Sequence, residues 1–230
     1  QRGDGETVLV FLPGQREIQD CSRAIAATDW GKPSHQGVEC VPLHGNLPLE
    51  AQGRAIGPAS NAAGKVVLAT SIAESSLTLA GVTLVLDSGL SRRNRFDPGS
   101  GLDGLVTVPA SQASADQRAG RAGRLGPGRC LRLWSPAEQQ RRPAFDPPEL
   151  LEVDPLPLAL QLAQWGDPLG SNLHWIDPPA PAHLQQARLQ LDQLGALAAT
   201  GQLNSHGQRL AQLGVHPRLA QLLLLGEQLG

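Results

Sequence analysis

Gln117-Arg118-Ala119-Gly120-Arg121-Ala122-Gly123-Arg124 sets three arginines and a glutamine within eight residues. The stretch predicts a short helix stopped by Gly126-Pro127, on which Arg121 and Arg124, three positions apart, point off one face. Two guanidiniums with no acid between them repel, and their planar forks of donors suit a phosphate or carboxylate supplied from outside. Gly120 and Gly123 would keep the helix thin enough for something bulky to approach. A charge run of this kind also reads as a solvated basic face, so the flanking sequence has to decide.

Upstream, continuous apolar runs of strand length alternate with short helical stretches. Thr7 to Leu12 is the first run; Pro13-Gly14 breaks it, and Gln15 to Ala27 reads as a helix. The unit recurs with strands at Val38–Leu43, Lys65–Thr70 and Val82–Asp87 and a helix at Leu47–Ile56, and a further strand follows at Arg129–Trp134. Apolar runs without polar alternation are strands covered on both faces, so the fold class is α/β with a parallel sheet. Between Arg92 and Val108 two short strands flank Asp97-Pro98-Gly99-Ser100-Gly101, which is turn chemistry and predicts a protruding β-hairpin carrying Arg92, Arg93 and Arg95.

Beyond Ser135 prolines crowd the chain at 143, 147, 148, 155 and 157, marking a linker. Leu156–Trp165 reads as one amphipathic helix. A second begins at Pro181, with Leu184, Ala187, Leu191 and Leu194 at three- and four-residue steps and Gly195 closing it. Ala196–Ala198 and Gln202–Asn204 flank Thr200-Gly201 as a small wing, so helix, helix and wing compose a winged helix. His216-Pro217 opens a last helix whose Leu219, Leu222, Leu223, Leu224 and Leu225 cover more than one face.

Of the 230 residues 40% are apolar and 17% charged, enough for one large or two modest cores, with no apolar run near the length of a membrane span. The three cysteines, Cys21, Cys40 and Cys130, lie far apart without zinc spacing, which predicts reduced thiols in a cytoplasmic protein and no metal site. The net charge of −2 conceals an asymmetry. Residues 92–132 hold eight arginines against Asp97, Asp103 and Asp116, whereas residues 143–187 hold six acids and no Lys or Arg. Only the local footprint matters for a polyanionic partner, so the bulk charge does not exclude nucleic acid.

With these elements in order, Q-R-x-G-R-x-G-R resembles the sixth motif of superfamily 2 helicases, in the DEAH-box branch of the HrpB type. Val8–Ile18 resembles the fourth motif, and Leu68–Thr78, followed by Val85–Gly89, the fifth. The resemblance spans essentially the whole chain. It implies a RecA-like parallel-sheet domain with a hairpin (1–135), a linker and mostly helical winged helix (136–214), and the start of a further helical domain (215–230). It implies ATP as the nucleotide, with Arg121 and Arg124 as arginine fingers on its γ-phosphate, Gln117 near the attacking water, and Ser76 and Thr78 on the nucleotide side. Single-stranded RNA or DNA would be gripped by Gly14, Gln15 and Thr70 and pressed by the hairpin through Arg92, Arg93 and Arg95.

Departures from the family pattern are visible. Ser71 and Ser75 stand where Asn and Thr are usual, Ala80 where an acid would meet the ribose, and Ile56 where many members stack an aromatic on adenine, which implies weak base selectivity. Leu43–Leu47 with Gln52 also matches, and His44 there reads as structural or backbone-contacting; His206 and His216 receive no role. Gly64-Lys65 is no phosphate loop, since no Ser or Thr follows and the first glycine is misplaced, and no Asp-Glu pair exists to hold magnesium. The resemblance therefore puts the ATP cradle and its Mg²⁺ in a first RecA-like domain preceding Gln1. By itself the chain is expected to be an inactive ATPase, monomeric and without a membrane partner. The competing reading is a non-enzymatic winged-helix nucleic-acid binder on an α/β scaffold, weakened because the recognition-helix candidate Ala182–Leu194 carries only Arg188 against Asp192.

Overall fold

The computed structural model describes residues 6–28, 38–59, 64–74, 77–97, 99–124 and 126–229. The chain divides into two units, residues 1–93 with 105–146, and 94–104 with 147–230.

In the first unit the predicted apolar runs form a five-stranded sheet, β1 (Thr7–Phe11), β2 (Glu39–Leu43), β3 (Lys65–Ala69), β4 (Val82–Asp87) and β7 (Arg129–Arg132), in the order β2-β3-β1-β4-β7 with every neighbour parallel. Side chains alternate across the pleat. Leu9 and Phe11 join Val41, Leu43, Val67, Ala69 and Val85 on one face, and Val10 joins Val66, Leu68 and Ile18 of α1 (Gln15–Ala26) on the other. Each such fully buried leucine or phenylalanine contributes about 1.5–3 kcal/mol, which is why the central strands tolerate no polar alternation. Helix α2 (Leu49–Ile56) contributes Ala55 to the first face.

Gly64-Lys65 acquires a structural duty. The Lys65 ammonium, buried to 1% exposure, donates to the carbonyls of Ala55 at 2.9 Å, Arg54 at 3.3 Å and Gly57, the unsatisfied end of α2. Burial lowers its pKa, against a weaker opposing pull from Glu39.

The central prediction about the arginine stretch needs correction. Helix α3 (Gln112–Ala119) ends before Arg121, and the chain continues as a turn in which Arg121 N–H donates to Arg118 and Ala122 N–H to Ala119. Two glycines within four residues cost too much backbone entropy for the helix to run on to Gly126-Pro127. Arg121 and Arg124 are thus fixed by the turn: Ala122 is anchored in the sheet core, and the backbone of Gly128 lies so close that a Cβ there would fall 1.9 Å from the Ala122 carbonyl oxygen.

The hairpin is present as β5 (Leu90–Asp97) and β6 (Leu102–Pro109). Asp97 organises its turn, accepting from Gly99 N–H at 3.0 Å and Ser100 Oγ at 2.8 Å, and Gly101 adopts φ +69°. Helix α4 (Pro136–Arg141), closed at its start by a Ser135–Glu138 capping box, lies within the first unit although the prolines suggested a linker from 136.

The second unit contains α5 (Leu156–Trp165), α6 (Pro181–Gln193), an antiparallel bridge Leu197–Leu203, α7 (Ser205–Gln212) and α8 (Pro217–Leu229). Its core joins Leu156, Leu160, Ala187, Leu191, Leu210, Ala220 and Leu224, so α8 packs in the same unit as the helices before it. The other leucines of α8, 219, 222, 223, 225 and 229, stay exposed. Residues 94–104, the hairpin tip, belong here rather than protruding freely: Phe96 N–H donates to the Glu152 carbonyl at 2.8 Å, and Arg218 donates to the Gly101 carbonyl at 2.6 Å. Arg218 also pairs with Asp154 at 2.7 Å, and His216 Nε2 lies 3.0 Å from the same carboxylate oxygen, which gives His216 a structural partner.

Candidate functional site

Parallel strands all deliver their carboxyl ends to one edge of the sheet, and there the loops are stitched together. Leu12 N–H donates to Ala69, Thr70 N–H to Leu43, and Ser88 N–H to Phe11. Ligands of open α/β sheets bind outside this edge. Gly14 is the N-cap of α1, no side chain caps the helix, and the first-turn N–H groups point outward, which favours an anion. Gly14 itself is buried beneath Arg92: a Cβ there would fall 2.9 Å from the guanidinium carbon. Arg92 also lies 3.6 Å from Glu17, and Gln15 Nε2 lies 3.2 Å from His44 Nδ1. The fold thus gathers Gly14, Gln15, His44 and Arg92, which are far apart in sequence. Thr70 is half-buried at the same edge, its hydroxyl without a hydrogen bond among the described residues.

The last turn of α3 holds a group whose separate role was not legible in the sequence. Arg118 is 1% exposed and its guanidinium is fully engaged. Nε donates to Glu74 at 2.7 Å, Nη1 to Asp87 at 2.9 Å and to the Leu90 carbonyl at 3.1 Å, and Nη2 to Ser91 Oγ at 2.5 Å. Its charge also lies over the Phe11 ring, 5.1 Å from the centroid. Glu74 completes the network by accepting from Ser114 Oγ at 2.9 Å. Of the three arginines of the stretch, this one is paired with acids inside the protein.

Arg121 is 4% exposed, yet among the described residues it is in no ion pair. Its Nη1 donates to the Leu77 carbonyl at 2.6 Å, and its Nε is buried without a partner. Burial lowers its pKa, the neighbouring Arg124 lowers it further, and Glu74 opposes both. A guanidinium stays charged nonetheless, so this is a desolvated cation incompletely compensated by the protein, a costly state that an added anion relieves. Arg124 is exposed, with Nη1 3.4 Å from Thr78 Oγ1. Gln117, one turn earlier, is exposed as well. Ser76 lies outside the described residues. Ala80 N–H donates to the Ile56 carbonyl at 3.1 Å, so two of the positions where the family pattern is broken are neighbours.

The hairpin arginines do not form one stripe. Successive strand residues point to opposite faces, so Arg92 turns toward Gly14 and Glu17 while Arg93 pairs with Asp146 at 17% side-chain exposure. Arg95 is exposed and belongs to the second unit. Arg132 likewise has a partner of its own, pairing with Asp116 at 2.5 Å. Arg142, also unremarked in the sequence, lies over Trp134 at 4.2 Å and donates to the carbonyls of Gly89 and Ala110. A clue to Glu74 was available: an acid in a loop otherwise suited to phosphate requires an internal cation.

Among the described residues no group of three or more His, Cys, Asp or Glu could hold a metal ion, and no helix is long and apolar enough to cross a membrane. Residues 1–126 match the family model for the helicase conserved C-terminal domain. Over 223 residues the chain is 43% identical to the ATP-dependent RNA helicase HrpB of Escherichia coli K12, covering 97% of this chain and 27% of that protein. It is 38% identical over 231 residues to the pre-mRNA-splicing factor ATP-dependent RNA helicase prp22 of Schizosaccharomyces pombe, covering 99% of this chain and 20% of that one. Two crystal structures of E. coli HrpB, one described as a DExH-box NTPase and the other as a DEAH/RHA helicase, superpose with TM-scores of 0.84 at 42% and 43% identity, over 96% of this chain and 27% of theirs. The chain spans about a quarter or less of the length of these relatives.

Proposed function

The chain belongs to the helicase conserved C-terminal domain family, in its DEAH-box, HrpB-type branch, and from that premise we propose that it is the C-terminal motor portion of a cytoplasmic, monomeric ATP-dependent helicase acting on single-stranded RNA or DNA. The observation that carries this reading is Arg121, a buried guanidinium with an orphaned Nε and no ion pair among the described residues, next to Arg124 and Thr78. A transferring phosphoryl group develops charge on its outer oxygens, and preplaced guanidiniums stabilise it, an effect of about 10³–10⁵ in rate in related systems. Arg121 and Arg124 act as the fingers, Gln117 stands near the attacking water, and Thr78 with Ser76 lies on the nucleotide side.

The N-terminal RecA-like domain of the same protein supplies the phosphate cradle and magnesium ligands, so the chain by itself hydrolyses no ATP. Nucleic acid is held through its backbone by Thr70, the uncapped start of α1 at Gly14-Gln15, and Arg92 beside it, with Arg95 as the open charge of the hairpin. Arg93 is already neutralised by Asp146 and contributes mainly to shape. Residues 155–214 compose the winged helix. Backbone contacts predict weak sequence preference and steep salt dependence. The testing experiment is nucleic-acid-stimulated ATPase turnover in the full-length protein, with Arg121→Ala and Arg124→Ala beside wild type. Turnover should fall at least about 10³-fold with ATP binding largely retained; undiminished turnover in both variants refutes the finger assignment.

A further inference from the structure

The hairpin is rooted in the arginine stretch. Its first residues, Leu90 and Ser91, accept hydrogen bonds from Arg118 at 3.1 Å and 2.5 Å, and the Arg118 carbonyl accepts the N–H of Arg121 at 3.1 Å. The same guanidinium is held by Glu74, just beyond β3, and by Asp87, at the end of β4. The two feet of the hairpin are joined as well. Ala110 N–H donates to the Gly89 carbonyl at 2.9 Å, and Arg142 Nη1 donates to both of their carbonyls, at 2.7 Å and 2.9 Å. Gly89 adopts φ +72°, and a Cβ there would fall 2.6 Å from the Trp134 ring, so the foot admits no larger residue.

We propose that Arg118 is a positioning residue that makes the base of the hairpin one rigid body with the turn carrying Arg121, so that a movement at the nucleotide end is delivered to β5. This deepens the helicase reading and rests on it. A planar guanidinium has its donors at fixed angles, and in a buried setting each bond resists displacement more than it would in water. Glu74 and Asp87 lock the centre of the group, leaving the Ser91 hydroxyl as the side-chain link to the hairpin that can be cut without unpairing a buried charge.

The test uses the full-length protein on a duplex with a single-stranded overhang, measuring strand-stimulated ATPase turnover and strand separation together for wild type, Ser91→Ala and Ser91→Thr. In Ser91→Ala, turnover and single-strand affinity stay within about two-fold while strand separation slows about five-fold or more, the scale of one lost charge-assisted hydrogen bond. Ser91→Thr keeps the hydroxyl on a β-compatible side chain and restores strand separation. An alanine variant that separates strands at the wild-type rate per ATP overturns the proposal, and so does one in which turnover and separation fall in proportion. Wild type without strand-stimulated turnover would refute the helicase reading itself and this inference with it, so the two failures are told apart by the wild-type lane.

Discussion

Arg118→Ala removes a guanidinium at 1% exposure and leaves the Asp87 side chain at 0% and Glu74 at 15% without their counter-charge. Deleting one partner of a buried ion pair costs about 3–5 kcal/mol because the charge left behind stays desolvated. Asp87 carries most of that loss, since water reaches Glu74 and screens it. Asp87 keeps one bond, from the Gly89 N–H at 2.8 Å, while its Oδ2 already lacks a partner. Against a usual domain stability of about 5–15 kcal/mol the loss is large. At about 2 kcal/mol per M of urea it lowers the unfolding midpoint by about 1.5–2.5 M. The assay is a urea titration read from the amide signals of β1, β3 and β4, which report the first unit alone. A variant with Arg118→Met, Glu74→Gln and Asp87→Asn carries no buried charge and should recover more than half of the loss. A midpoint shift below about 0.5 M for Arg118→Ala, or a triple variant no more stable than the single one, refutes the reasoning.

Gly128→Ala brings a methyl group to 1.9 Å from the Ala122 carbonyl oxygen, so the turn holding Arg121 must move; thermal melting should register a loss of about 1–3 kcal/mol. Lys65→Met leaves the end of α2 without its donor and costs about 1–3 kcal/mol by urea unfolding near neutral pH. Because burial lowers the folded pKa of Lys65, the unfolded chain binds more protons between that value and the ordinary lysine value of 10.5. Wild-type stability should therefore gain with rising pH in that alkaline window relative to Lys65→Met, and parallel pH profiles would exclude the buried ammonium. Asp154→Ala removes the shared acceptor of Arg218 and His216, which water still reaches, and should cost about 1–3 kcal/mol in the second unit. Hydrogen exchange at Leu156, whose N–H donates to Asp154, should accelerate first.

The periodicity of the chain by itself settles much of the architecture. Unbroken runs such as Val8–Leu12 and Val66–Ala69 can be stable only between two covering layers, so a parallel sheet followed from the residues alone. The hairpin turn was legible because Asp97 and Gly101 are the chemistry such a turn demands. The spacing of arginines and glycines marked the candidate site, since guanidiniums without nearby acids point to an external anion.

Which arginine is paired with buried acids was decided only in three dimensions. Arg118, Arg121 and Arg124 are equivalent as letters, and their difference arises because Glu74 and Asp87, 44 and 31 residues away, arrive beside the first of them. The end of α3 at Ala119 likewise depends on Ala122 being drawn into the sheet core and on Gly128 backing it. Arg92 and Arg93 look like one basic patch in the sequence, yet the strand pleat sends one toward Gly14 and the other to Asp146. Sequence determines what each side chain can do through its own chemistry and local period. Its electrostatic partner is set by long-range strand order, because Coulomb and hydrogen-bond energies depend on distances that local sequence does not specify.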